Sequence, residues 1–110
     1  MSLGESGAIL ILCAVPTDFD EGPLAEDLVR RSLAACVQVG LGVTSIYKWK
    51  GTLEKSDERL LLIKTRAGRF AEVEAAIRAC HPYDVPEIVA LPISDGHAPY
   101  LAWMAENTVV

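Results

Sequence analysis

Positive charge is scarce in this chain: ten lysines and arginines stand against fifteen aspartates and glutamates, a formal net charge of −5 over 110 residues. No basic field exists to attract phosphate backbones or anionic lipid, which argues against nucleic acid and membrane surfaces as partners. Residues 14–29 contain no lysine or arginine and one glycine, so the first strand-to-helix loop is no anion cradle. Long apolar runs are also missing. The longest, Ala8 to Val15, falls far short of the roughly 20 residues that cross a bilayer, and no basic segment precedes it as in a secretory signal. A cytoplasmic protein is the expectation. Close-spaced cysteines are absent too: Cys13, Cys36 and Cys80 are an odd number with no Cys-x-x-Cys pair, which disfavours a disulfide framework or a zinc clip. Repeats, linkers and low-complexity segments are lacking.

What is present fits one compact domain, with 51% hydrophobic and 23% charged residues. Residues 1–7 are small, polar and without periodicity, and read as a disordered N-terminal tail; residues 8–110 form the domain. Ala8 to Val15 has no residue for a wet face and suits a strand buried on both sides, ended by Pro16. Asp18 and Glu21 have the spacing of a capping box before a helix that starts near Gly22-Pro23. The apolar side of that helix runs Leu24, Ala25, Leu28, Val29, Ser32, Ala35 and Cys36.

The period becomes two at Val37 and continues to Trp49, with Gly40 and Gly42 suggesting a bulge. Lys50-Gly51 is a hairpin turn, and the return strand reaches Thr65 after a polar break at Lys55 to Glu58. A second helix spans Arg69 to about Cys80. Pro82 and Pro86 then impose a stiff crossing to a strand over Glu87 to Ile93. Pro99 begins a last helix carrying Tyr100, Leu101, Trp103 and Met104.

The order predicts an α+β fold, ferredoxin-like βαββαβ with an added C-terminal helix. Its antiparallel sheet carries helices on one face and leaves the other bare. A strand from Val37 to Trp49 would reach about 43 Å, against a radius of gyration of roughly 13 Å for a domain of this size. The overhanging hairpin and bare sheet face together predict an oligomer. His81, Asp84 and Glu87 are the one compact set available for acid–base work, although Glu87 equally suits a backbone or intersubunit hydrogen bond.

Ala34-Ala35-Cys36-Val37, Val43 to Tyr47 with Trp49 and Gly51, Leu61 to Thr65, His81-Pro82-Tyr83 with Val85 to Ile88, Leu91-Pro92-Ile93, and Tyr100-Leu101 with Trp103 resemble the CutA family of divalent-cation tolerance proteins. The resemblance covers about residues 8–107. It implies a PII-like homotrimer whose long hairpins wrap neighbouring subunits, a role in tolerance of copper and other divalent metals, and no established enzymatic reaction or organic cofactor. It also implies metal ligands at Cys13, His81 and the preceding Cys80. Two thiolates and an imidazole suit Cu(I) or Zn(II), while core packing for the cysteines and helix capping for His81 stay open as alternatives. Gln38 and Lys48 depart from the family pattern. Tyr47, Trp49, Lys64, Tyr83, Glu87 and Trp103 are the candidates for a cleft between subunits, with interface packing the other use of such aromatics. Three functions follow: a metal-binding tolerance protein, a trimeric signalling or scaffold module holding a small ligand or protein at the cleft, and an enzyme.

Overall fold

In the computed structural model, which describes residues 7–109, the chain runs through β1 (Ala8–Pro16), α1 (Gly22–Arg30), β2 (Cys36–Trp49), β3 (Thr52–Arg66), a 3-10 turn (Ala67–Arg69), α2 (Phe70–Cys80), β4 (Ile88–Pro92) and α3 (Ala98–Glu106). The strands form one antiparallel sheet in the order β2-β3-β1-β4. This is the predicted α+β, ferredoxin-like arrangement with a long β2–β3 hairpin and an appended helix. The first six residues of the expected tail lie outside the described residues. Gly7, its seventh, is tied down, because its carbonyl accepts a 3.0 Å hydrogen bond from Ala67 N.

Alternation along the strands sorts the side chains. Ile9, Ile11, Cys13 and Val15 of β1 and Leu61 and Ile63 of β3 are buried against Leu24 and Leu28 of α1 and Val73 and Ile77 of α2. Each such side chain contributes about 1.5–3 kcal/mol through burial, so this layer is the main source of stability. The intervening residues point to the opposite face, and there Lys64 Nζ donates to Tyr100 Oη at 3.3 Å and Arg66 Nε to Thr108 Oγ1 at 3.0 Å. Met104, buried with Ala8 and Ala35, completes this second contact. The second face is therefore not bare along its whole length, because α3 covers one end.

Two sequence expectations need correction. The first helix does not continue to Cys36. It stops at Arg30, with Ser32 in a left-handed conformation (φ 58°), Ser32 N bonded to Val29 O and Leu33 N to Leu28 O. These bonds satisfy the carbonyls of the last turn. Cys36 is accordingly the half-buried first residue of β2, not the end of a helical stripe. Nor does the polar segment Lys55 to Glu58 interrupt the return strand. It pairs residue by residue with Val43 to Ile46; Lys55 and Asp57 are exposed and Ser56 half-buried, so their polar side chains cost little, and only Glu58 is buried.

The bulge falls where the glycines implied, between Val39 and Gly42. The turn is Lys50-Gly51 with φ of 51° and 82°, the two positive values that suit a right-twisted hairpin. β1 pairs with β3 only as far as Pro16 opposite Glu58. Beyond Glu58 the hairpin continues with no third strand among the described residues, and the molecule measures 44 × 31 × 22 Å. No helix among the described residues is long and apolar enough to cross a membrane.

Candidate functional site

Where the hairpin leaves the sheet, the crossing between α2 and β4 folds back beside it. Pro82 keeps His81 out of the helical region, and its backbone is extended at φ −68° and ψ 135°. The imidazole is thereby swung under the sheet end. Its Nε2 donates to Ala14 O at 2.8 Å, which leaves Nδ1 to accept from Tyr83 N at 3.1 Å. A carbonyl can only accept, so this pair of bonds specifies a neutral ring with its proton on Nε2. The residue is 9% exposed. It lies between Phe19, stacked at 6.1 Å, and Tyr83, tilted at 4.8 Å.

Tyr83 continues the chain of contacts. Its hydroxyl donates to Glu58 Oε2 at 2.9 Å. Burial, and next the bond to the Glu58 carboxylate, push the phenol up to about 12. Glu58 is 6% exposed although it bears a carboxylate. Glu58 ends the three-stranded part of the sheet, and a groove of about 740 Å3 opens above it. Glu54, Asp84 and Glu87 supply further carboxylates around that groove, and Tyr47 and Trp49 form its hairpin wall. Tyr47 is fixed by a 2.8 Å bond between its hydroxyl and Ser56 Oγ. No lysine or arginine lines the groove.

Behind the groove, Arg59 holds the β1–α1 connection against β3. It donates to Phe19 O at 2.8 Å and to Glu21 Oε2 at 2.7 Å. Glu21 is thus committed to a long-range ion pair and makes no side-chain cap bond to α1; Asp20 Oδ1 instead accepts from Gly22 N, the first residue of the helix, at 3.2 Å. The capping-box expectation for Asp18 and Glu21 is replaced by this tertiary contact.

Of the cleft candidates, Tyr47, Trp49, Tyr83 and Glu87 come together at the groove. Lys64 and Trp103 do not. Lys64 lies six residues along β3 from Glu58, roughly 20 Å at strand rise; its ammonium sits over the Tyr100 ring, which packs on Trp103. Glu54 and Glu58 are not among the candidates that sequence reasoning finds. The signal for them is the alternation Glu54, Ser56, Glu58, which puts three polar side chains on one face of a strand.

The three candidate metal ligands occupy neighbouring but different settings. Cys13 is fully buried in the core. Burial first, then the charges of Glu87, Cys80 and Glu58, push its thiol up to about 12. Cys80 is exposed as a residue, yet its sulfur rests 3.7 and 3.6 Å from the Ala76 and Ile77 carbonyls. That partial burial, with the Asp27 charge, raises its thiol as well. Both His81 nitrogens are hydrogen-bonded. Among the described residues no group of three or more histidines, cysteines and carboxylates is arranged to hold an ion.

Residues 9–107 match the family described as CutA1 divalent ion tolerance protein. The divalent-cation tolerance protein CutA of Thermus thermophilus is 46% identical over 99 residues, 90% of this chain and 96% of that protein. A CutA homolog of Xenopus laevis is 44% identical over 103 residues, 94% of this chain and 67% of the relative. The solved structure of the divalent cation tolerance protein (Cut A1) from Thermus thermophilus superposes with a TM-score of 0.87 at 44% identity, covering 93% of this chain and 99% of that one. Sequence match and shared fold agree over nearly the whole domain, and the chain belongs to the CutA1 divalent ion tolerance family.

Proposed function

We propose that this chain acts in divalent-cation tolerance as a cytoplasmic homotrimer that binds metal ions, copper among them. The names of its relatives support the tolerance role. The observation that carries self-association is the unsupported hairpin. Past Glu58 it has two strands only among the described residues, and its tip exposes 65% of Ile46 and 72% of Leu53. Val89 and Leu91 add apolar surface on the edge strand β4. A small domain gains from covering such surface in a permanent assembly.

Metal binding at Cys13, Cys80 and His81 is supported by the extended turn at His81, which brings the imidazole back beneath the end of β1. Loading that set requires the imidazole to give up Ala14 O or Tyr83 N and Cys13 to lose a proton against its burial. Soft Cu(I) compensates such a cost better than a hard cation, and binding weakens with falling pH as thiols and imidazole regain protons. Titration of the reduced, untagged protein with Cu(I) under a competing chelator is the test. His81→Ala and Cys80→Ser are expected to weaken binding at least about tenfold, the scale of one lost ligand. Unchanged affinity in both variants, with assembly intact, refutes the ligand set.

The groove favours a second reading, a trimeric signalling or scaffold module that takes a small ligand there. Its volume lies within the roughly 300–1,000 Å3 typical of ligand pockets.

A further inference from the structure

We infer that the groove between the hairpin and the 82–87 crossing is a binding site for a small organic cation, an ammonium or guanidinium compound; this rests on the second reading above. Its charge is of one sign. Glu54, Glu58, Asp84 and Glu87 all line it and, among the described residues, no basic side chain does; the Lys50 ammonium lies beside it, 5.8 Å from the centroid of the Trp49 ring. Of these four carboxylates, only that of Glu58 has a hydrogen bond or ion pair among the described residues.

Glu58 is the decisive member. The residue is more than nine-tenths buried, yet only Oε2 is bonded, to Tyr83. Oε1 has no hydrogen bond and is not sealed off from the surface, so it opens into the groove that Glu58 lines. Holding a carboxylate in such a place with one hydrogen bond is costly. A bound cationic N–H donor supplies the missing partner, and ion pairs gain strength where water is thin.

Two observations separate an organic cation from a bare metal ion. The carboxylates are distributed around the groove rather than converging, so that no three of them can hold one ion. Tyr47, Trp49 and Tyr83, which are 40%, 44% and 36% exposed as residues, form much of the remaining wall, beside Ile46 and Val85. Aromatic faces attract alkylated or planar cations and give little to a hydrated divalent ion.

The test uses the assembled Trp103→Phe protein, in which Trp49 is the single tryptophan, and follows its fluorescence during titration with n-butylammonium and n-butylguanidinium. Butan-1-ol and butyrate serve as neutral and anionic controls of the same size. Saturable quenching by the two cations, weakened about tenfold or more in Glu58→Gln as expected for loss of a charged hydrogen bond, supports the site. Glu54→Gln, at an exposed hairpin position, provides a variant with the same fold and a smaller loss, about twofold to fivefold for a partly screened charge. Equal binding of butan-1-ol overturns cation recognition while leaving a ligand cleft in place. No saturable response to any probe overturns both, and copper or magnesium binding that Glu58→Gln abolishes while the amines do not compete assigns the groove to metal instead.

Discussion

Tyr83 Oη and Glu58 Oε2, 2.9 Å apart, join the proline-framed crossing to the last residue of β3 that has a neighbour on both sides. Removing the hydroxyl leaves Glu58 without its one partner. Tyr83→Phe should cost about 1 kcal/mol, below the roughly 1.5–3 kcal/mol of a buried hydrogen bond to a charged group because the ring is partly exposed. Urea denaturation at pH 8 measures it. The phenol's pKa is raised from 10.0 to about 12 in the folded protein. Unfolding therefore releases its proton between those values, so the stabilisation is complete below pH 10 and lost as pH rises towards 12. The variant should show a shallower alkaline loss of stability than wild type.

The three thiols should separate by reactivity. At pH 8, a disulfide reagent should modify Cys80 rapidly, Cys36 more slowly, and Cys13 only at the rate of global unfolding, since its thiol is buried and pushed up to about 12. Mass spectrometry of the time course reads the order. Prompt labelling of Cys13 in the folded protein would contradict its place in the core, and would mean that it reaches a metal without disturbing the packing.

Ser32 terminates α1 with a φ of 58°, a conformation that costs a residue with a side chain roughly 1–2 kcal/mol. Ser32→Gly should stabilise the protein by about 0.5–1 kcal/mol after allowance for the greater entropy of glycine in the unfolded chain. A rise in the urea midpoint at unchanged slope is the expected readout.

Glu21 and Asp18 should behave unequally. Glu21→Ala breaks the ion pair with Arg59 and leaves a partly buried guanidinium with Phe19 O alone; a loss of about 1–2 kcal/mol is expected. Asp18→Ala should change stability by less than about 0.5 kcal/mol, as at ordinary surface sites. Equal losses would restore the local capping account.

Much of this architecture is legible in the sequence because it rests on short-range rules. Alternation marks β2, two glycines mark its bulge, Lys50-Gly51 marks the turn, and Pro82 marks the departure of His81 from the helix. The end of α1 is hidden because a serine, not a glycine, takes the left-handed position, while apolar residues continue in helical phase into a buried turn. The face taken by α3 is a tertiary choice, recorded only in the bonds of Lys64 and Arg66. For the site, aromatic and proline-linked residues announce Tyr47, Trp49, Tyr83 and Glu87. Glu58 stays hidden because its burial comes from the crossing folding over it, and no local pattern carries that information.

Native mass spectrometry of the untagged, reduced protein with Cu(I), at micromolar concentration, tests the proposed function most directly. The account predicts a species of three times the 11.9 kDa chain mass, carrying up to one copper per chain, which loses its copper in His81→Ala while remaining three chains. A persistent single chain, or a three-chain species that takes up no copper, would contradict it.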